Sequence, residues 1–148
     1  MSGFLLDTNV ISMLSPSNAD RDERFIRWLH AQEEADALFL SVVTIHEIAK
    51  GINLLKNKGA AAKARALEAW LDALTSHYSD RILPFDIAIA ALAGELEAHA
   101  LSAGYNPGMA DAMIVATATM NGLTVVTNNL RDFRNFEIDV RTPADISD

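Results

Sequence analysis

Three carboxylates in apolar or small-residue surroundings are the residues of this chain best suited to chemistry. Asp7 ends a short apolar run, Glu47 follows the mostly apolar segment 42–46, and Asp111 opens the apolar segment 112–116. An ionised carboxylate in a low-dielectric environment is costly unless a positive charge lies beside it. No Lys or Arg occurs within five residues of Asp7 or Asp111. A divalent cation shared by the three acids would supply that charge, so each is a candidate metal ligand.

Each acid also has a structural interpretation. An acid in the first turn of a helix, as predicted for Asp111, gains roughly 0.3 to 1 kcal/mol from the positive end of the helix dipole. Asp7 could equally cap whatever follows the first strand. The three acids together with Asn129 on one edge are harder to explain as caps. Hard oxygen ligands of this kind suit Mg²⁺, or Mn²⁺, better than a soft metal.

Short apolar strands alternate with longer helices along the chain, which predicts an α/β fold on a parallel sheet. The apolar runs predict strands at 4–6, 38–40, 82–85 and 123–127. The helical periodicity and end signals predict helices at about 20–32, 43–57, 60–77, 86–103 and 109–120. Sites of such folds lie at the carboxyl ends of the strands. We therefore expect Asp7, Glu47 and Asn129 to share one rim of the sheet.

Gly51 lies one helical turn beyond Glu47 and stacks beside it on a helix. A glycine inside a helix costs about 0.5 to 1 kcal/mol relative to alanine. Room for a metal ion, a water or a phosphate beside Glu47 would explain it. Close packing of helices would explain it equally well.

The composition indicates one domain, covering residues 1–148. Half of the residues are hydrophobic, yet no apolar run approaches the roughly 18 residues that span a bilayer. The chain contains no cysteine, which excludes disulfides and thiolate zinc sites and suits a reducing cytoplasm. The first residues show no secretory signal pattern.

The net charge of −8 argues against a protein that coats nucleic acid generally. One local stretch has the opposite character, because no acid occurs between Ile48 and Leu67. It contains five of the 12 basic residues: Lys50, Lys56, Lys58, Lys63 and Arg65. Such a stretch is either a solvated helix face or a guide for an anionic substrate.

An ordered set of motifs covers essentially the whole chain. The motifs are Asp7-Thr8-Asn9, the run from Ser41 to Ile52, the segment from Ile82 to Asp86, the run from Asp111 to Ala118, and Val125 to Asn129 followed by Asp132-Phe133. This set resembles PIN-domain ribonucleases, and specifically the VapC toxins of bacterial type II toxin–antitoxin systems in their FitB-like, plasmid-stability branch.

The resemblance implies a three-layer fold with a central parallel sheet of about five strands. It also implies a Mg²⁺-dependent endoribonuclease that forms homodimers and is neutralised by a small cognate antitoxin, which itself binds operator DNA. By position, Asp7, Glu47 and Asp111 would be the acidic core that holds the metal. The fourth catalytic position is Asn129, where some members of the family have aspartate, so one ligand charge is missing.

The resemblance also suggests supporting roles for five neighbours of the acids. Asp132 would either compensate for the missing charge or fix a loop, and Asp86 would support the site or cap a helix. Thr8, Asn9 and Thr127 would hold Asp7 or contact the scissile phosphate.

Three rival interpretations start from the same residues. A zinc protease would need His-Glu-x-x-His, but Lys50 occupies the last place of the segment that begins at His46. A metal-binding phosphoacceptor domain of the receiver type would need an aspartate at a third strand end and a lysine after the fifth strand. A catalytically weak PIN-like interaction module would differ from the nuclease through Asn129.

Overall fold

A single five-stranded sheet forms the centre of the protein. The computed structural model describes residues 3–18 and 22–147. The strands are β1 (Phe4–Leu6), β2 (Leu38–Ser41), β3 (Ile82–Leu83), β4 (Thr124–Val126) and β5 (Val140–Arg141). They lie in the order β3-β2-β1-β4-β5, and every neighbouring pair is parallel. The expected α/β fold with a parallel sheet of about five strands is confirmed.

Helices connect the strands and cover both faces of the sheet. They are α1 (Thr8–Ile11), α2 (Glu23–Glu34), α3 (Val42–Asn57), α4 (Ala61–His77), α5 (Ile87–Ser102), α6 (Met109–Asn121), α7 (Leu130–Phe133) and α8 (Pro143–Ile146), with single 3₁₀ turns at Ser12–Leu14 and Ser79–Arg81. No helix in the described ranges is both long and apolar enough to cross a membrane.

The two faces of the sheet pack into two separate apolar cores, because successive side chains of a strand point to opposite sides. Leu5 and Val125 face the core formed with α5 and α6. Leu6 and Val126 face the core formed with α1 to α4. The side chains of all four residues are completely buried, which fixes the register of β1 against β4 and hence the positions of the residues that follow them.

The five longest helices match the predicted ones within a few residues, and their ends follow the expected chemistry. Asp86 caps α5 by accepting a hydrogen bond from the Ile89 backbone N–H at 2.9 Å. Gly122 ends α6 with φ of 65°, a left-handed conformation that favours glycine. The start predicted at Asp20 lies outside the described residues, and α2 begins at Glu23 after its cap Asp22.

Several short elements differ from the sequence prediction. Strand β3 ends at Leu83 rather than at Phe85, because Pro84 lacks the N–H that would continue the ladder. The sequence analysis did not predict α1, α7, β5 or α8, each of which has two to four residues. Elements this short carry no periodic signal.

Candidate active site

Strands β2 and β3 lie on one side of β1, and β4 and β5 lie on the other. The strand order therefore reverses between β1 and β4, which leaves a crevice there. Ligands of open parallel sheets bind at this kind of switch point, beyond the carboxyl ends of the strands. Asp7 directly follows β1 and Thr127 directly follows β4. The Thr127 hydroxyl donates a hydrogen bond of 2.7 Å to Asp7 Oδ2, so the two strand ends are joined at the crevice.

Asp7 is a buried carboxylate held by three donors. Besides Thr127, the Thr8 backbone N–H donates to Oδ1 at 2.8 Å and the Asn9 side-chain amide donates to Oδ2 at 3.1 Å. Burial raises the pKa of Asp7 and outweighs the Thr127 and Thr8 hydrogen bonds, which lower it; the charge of Glu47 raises it further. Asp7 also caps α1, as the structural interpretation predicted. Capping and a role in the site are therefore compatible.

Glu47 reaches the crevice from α3 and is fixed by Thr8. The Thr8 hydroxyl lies 2.6 Å from Glu47 Oε1 and 3.1 Å from the hydroxyl of Thr44. A hydroxyl donates only one proton, and the carboxylate is the stronger acceptor, so the Thr8 proton goes to Glu47. The side chain of Thr8 therefore supports Glu47, whereas Asp7 is contacted by the Thr8 backbone N–H.

The sequence analysis missed Thr44, whose side chain is completely buried. It lies three residues before Glu47 on the same helix face, within an otherwise apolar turn. A buried hydroxyl one turn from a candidate acid is the signal that could have identified it.

Asp111 lies in the first turn of α6, at the positive end of the helix dipole. Its pKa is raised to about 6, mainly by burial and in addition by the charges of Asp7, Asp132 and Glu47. Its carboxylate has no hydrogen-bond or ion-pair partner among residues 3–18 and 22–147. Gly108 leaves room for it, since a Cβ there would lie 3.3 Å from Asp111 Oδ2.

The acids form one electrostatic group without a cation. Among residues 3–18 and 22–147, no Lys or Arg contributes to the raised pKa of Asp7 or Asp111, whereas the other acids do. Within the described part of the chain, no three acids or histidines converge closely enough to hold a metal ion together. Direct sharing of one cation by Asp7, Glu47 and Asp111, as the sequence analysis expected, is therefore not preformed.

Asn129 lies at the rim, but only its backbone is engaged. Its N–H donates to the Thr127 hydroxyl oxygen at 2.9 Å, while its exposed side chain has no hydrogen bond within the described ranges. Asn9 joins the same loop, because its Oδ1 accepts a hydrogen bond of 3.0 Å from the Asn128 backbone N–H. Asn9 therefore links Asp7 to the loop after β4, which supports its predicted role.

Asp132 and Asp86 behave differently from each other. Asp132, on α7, is exposed and raises the pKa of both Asp7 and Asp111, so it is a fourth charge beside them. Its side chain has no hydrogen bond in the described segments, which favours compensation for Asn129 over a loop-fixing role. Asp86 caps α5 and contributes to neither shifted pKa. The capping interpretation of Asp86 is the one the structure supports.

A cleft of about 290 Å³ opens beside Glu47. Thr8, Gly51 and Lys63 are among the residues that line it, and we call it the Glu47 cleft. A Cβ on Gly51 would meet no atom within 4 Å. Close packing of helices within the described chain therefore does not explain this glycine, and the space around it is open.

The basic stretch divides into residues with different surroundings. Lys56 forms an ion pair with Glu68 across α3 and α4, so it is a structural contact. Lys63 lines the Glu47 cleft. Lys50, Lys58 and Arg65 are exposed. Of these five residues, Lys63 is the one that lines the cleft together with Glu47.

Comparison with known proteins assigns the chain to a family. The PIN domain family model matches residues 4–138. The toxin FitB of Neisseria gonorrhoeae is 34% identical over 141 residues, which cover 95% of this chain and 97% of that protein. The VapC ribonuclease Y4jK of Sinorhizobium fredii is 32% identical over 95% of this chain and 96% of its own length.

A solved structure shows the same fold. The crystal structure of FitAcB from Neisseria gonorrhoeae superposes with a TM-score of 0.81 at 34% identity, covering 95% of this chain and 98% of the compared chain. The chain belongs to the PIN-domain family, in the branch of VapC- and FitB-like toxins of toxin–antitoxin systems.

The unpartnered carboxylate of Asp111 predicts a pH-dependent loss of stability. Its pKa is about 6 in the folded protein, against an ordinary value of 3.8. Between these values the folded chain binds more protons than the unfolded chain, so the stability of the metal-free protein falls as pH rises. Asp111→Asn removes this loss. Its Tm at pH 7 should exceed that of the unsubstituted protein by about 2–4 °C, on the order of 1 kcal/mol after allowance for partial exposure.

Melting curves in EDTA at pH 4 and pH 7 check this expectation. The gain from Asp111→Asn should be much smaller at the lower pH, because Asp111 is then protonated in the folded protein and partly protonated in the unfolded chain. A gain of the same size at both pH values would show that ionisation of Asp111 is not its cause.

Proposed function

We propose that this protein is a metal-dependent endoribonuclease that acts as the toxin of a type II toxin–antitoxin system. The observation that carries the proposal is the acid group at the switch point: Asp7 and Asp111 both have a raised pKa, with Glu47 and Asp132 adding to it, and no cation offsets them. Its membership of the VapC- and FitB-like PIN domains gives the reaction class, hydrolysis of RNA phosphodiester bonds.

The donor set fits Mg²⁺, or Mn²⁺, because it consists of hard carboxylate oxygens and lacks thiolates. Asp7 and Asp111 would hold the ion, and Glu47 would act directly or through water. The lack of partners for the Asp111 carboxylate supports its assignment as a ligand. When bound, such an ion lowers the pKa of a coordinated water and offsets negative charge on the phosphate.

The remaining work falls to this chain's own residues. Oε1 of Glu47 accepts from Thr8, while Oε2 has no partner in the described part of the chain and is available to take a proton from the attacking water. Thr127 and Asn9 keep Asp7 at the crevice. The free side-chain amide of Asn129 is positioned at the rim to donate to a phosphate oxygen.

The proposed partners follow from charge and family. A cognate VapB-type antitoxin would neutralise the toxin. Contact with operator DNA would be made through that antitoxin, since a chain with a net charge of −8 has little general affinity for DNA. The proposed place of action is the cytoplasm, where RNA substrates are found.

We also propose that two copies associate through an apolar groove of about 320 Å³. The groove is lined by Val42, Val43, His46, Phe85, Met109, Ala110 and Met113. The Met109 side chain is 64% exposed, although it is large and apolar. A second copy is the occupant that the homodimerisation of related toxins suggests.

A catalytically inert interaction module is the competing interpretation. Its only basis was the neutral residue Asn129. The charge of Asp132 acts on both Asp7 and Asp111, so the group keeps a fourth acid despite Asn129. This observation favours the nuclease.

Substitution of Asp7 tests the nuclease proposal. Antitoxin-free protein should cleave RNA in Mg²⁺ and stop in EDTA. Asp7→Asn should reduce cleavage by about two orders of magnitude or more, because it removes a charge that the bound ion requires. Asp86→Asn is the matched control: asparagine caps a helix as well as aspartate, so this variant should cleave like the unsubstituted protein. Equal cleavage by Asp7→Asn and Asp86→Asn would refute the assignment.

Gly51→Ala tests whether the Glu47 cleft belongs to the site. Alanine should stabilise α3 by roughly 0.5 to 1 kcal/mol, since its Cβ meets nothing. The methyl group would nevertheless occupy the space beside Glu47, so cleavage should fall at least about tenfold, or about 1.4 kcal/mol of barrier. The control is Gly94→Ala in α5, where a Cβ also meets no atom within 4 Å. Normal cleavage by Gly51→Ala would place the cleft outside the site.

Met109→Lys tests the proposed dimer. A charge in the apolar groove should shift the protein to monomers in sedimentation velocity, because an unpaired lysine would be desolvated at the interface. Met120→Lys is the control, since Met120 is 53% exposed at the other end of α6 and does not line the groove. An unchanged sedimentation coefficient for Met109→Lys would contradict this interface.

A further inference from the structure

A cavity of about 390 Å³ lies beside α7, between the end of α5 and the segment that follows α7. His99, Tyr105, Arg134, Asn135 and Glu137 contribute polar side chains to its wall, and we call it the Tyr105 cavity. Phe136 also lines it and is only 5% exposed. The cavity therefore rests on the apolar core that α5 and α6 share.

The polar side chains around this cavity are not used within the protein. None of the five makes a side-chain hydrogen bond or ion pair with residues 3–18 or 22–147. Arg134 is the clearest case, because an exposed guanidinium in an acidic protein has many possible partners yet lies unpaired at the cavity. The donors and acceptors of this wall are thus available to a ligand.

The α7 turn carries both an acid of the site and a residue of the cavity wall. Arg134 is the C-cap of α7, and Asp132, two residues earlier on the same turn, is close enough to raise the pKa of Asp7 and Asp111. The side chain of Phe133 between them is completely buried and fixes this turn on the core. Arg134 therefore follows an acid of the group by two residues on one short, anchored turn.

The chemistry of the wall fits an unpaired nucleotide. Tyr105 follows Gly104, whose φ of 90° turns the chain, and its ring is 51% exposed. Single-stranded nucleic acid binds where aromatic rings stack on bases and cations contact phosphates. Tyr105 supplies the ring, Arg134 the cation, and Asn135 and Glu137 supply groups that can hydrogen-bond to a base edge.

We propose that the Tyr105 cavity binds one unpaired nucleotide of the RNA, flanking the bond that is cut, with its base on Tyr105 and its phosphate on Arg134. This inference rests on the proposed ribonuclease function and adds a substrate subsite to it.

The test uses the full chain carrying Asp7→Asn, which should bind RNA without cutting it. The probes are fluorescein-labelled oligoadenylate and oligouridylate, and fluorescence anisotropy gives Kd. Tyr105→Ala and Arg134→Ala should each weaken binding about fivefold or more, since base–aromatic stacking has this size. Tyr105→Phe keeps the ring and should bind normally. Arg27→Ala, which removes an exposed arginine on α2, is the charge control and should change Kd little.

The same substitutions in the chain that retains Asp7 separate the subsite from catalysis. KM for RNA should rise about fivefold while kcat stays unchanged, because neither residue is placed at the acid group. If the unsubstituted protein cleaves RNA but Tyr105→Ala and Arg134→Ala bind and cleave as it does, the subsite is refuted and the nuclease stands. If they weaken only antitoxin binding, the cavity is a protein interface and the proposal is wrong. If Tyr105→Ala fails to fold, the comparison of RNA affinity between Arg134→Ala and Arg27→Ala decides whether the subsite exists.

Discussion

Burial of carboxylates that also repel one another at one crevice is the constraint on which the rest of the structure depends. Asp7 is buried, and Asp111 has no hydrogen-bond or ion-pair partner among residues 3–18 and 22–147, so both are held in places that disfavour their charged forms. Such an arrangement lowers the free energy of unfolding in the absence of a cation, and binding of an ion raises it again. The fold must therefore hold these acids together against their own electrostatics.

The parallel sheet provides the necessary rigidity. Completely buried side chains in β1 and β4 fix the register of the two strands, and the hydrogen bond from Thr127 to Asp7 joins their ends. On the other side of Asp7, Thr8 connects the end of β1 to Glu47 on α3. The positions of Asp7 and Glu47 are thus fixed by residues next to elements that are anchored in the two cores. A catalytic group requires this kind of support.

Sequence patterns were sufficient for the elements with long, periodic signals. Buried strands, helix caps such as Asp86 and the glycine after α6 each have a local cause, and their positions were predicted within a few residues. The short helix α1 has no such signal, because a single hydrogen-bonded turn depends on the cap Asp7. For the same reason, the capping and ligand interpretations of Asp7 could not be separated from the sequence.

The candidate site was predictable as a set of residue types and less so as a set of contacts. The pairing of Thr8 with Glu47 joins residues 39 positions apart, and only the fold brings them together. Lys56 and Lys63 look alike in the sequence, yet one is paired with Glu68 and the other lines the Glu47 cleft. Local spacing cannot distinguish a charge that is already satisfied from one that is available to a substrate.

Binding of Mn²⁺, followed by electron paramagnetic resonance, tests the central claim most directly. The claim is that the acid group at the switch point exists to hold a divalent cation. Titration of the unsubstituted protein at pH 7.5 should deplete the signal of free Mn²⁺ with a saturable affinity, and Asp111→Asn should weaken that affinity by at least about tenfold. Equal Mn²⁺ affinity in the two proteins, or no saturable binding by the unsubstituted protein, would contradict the account.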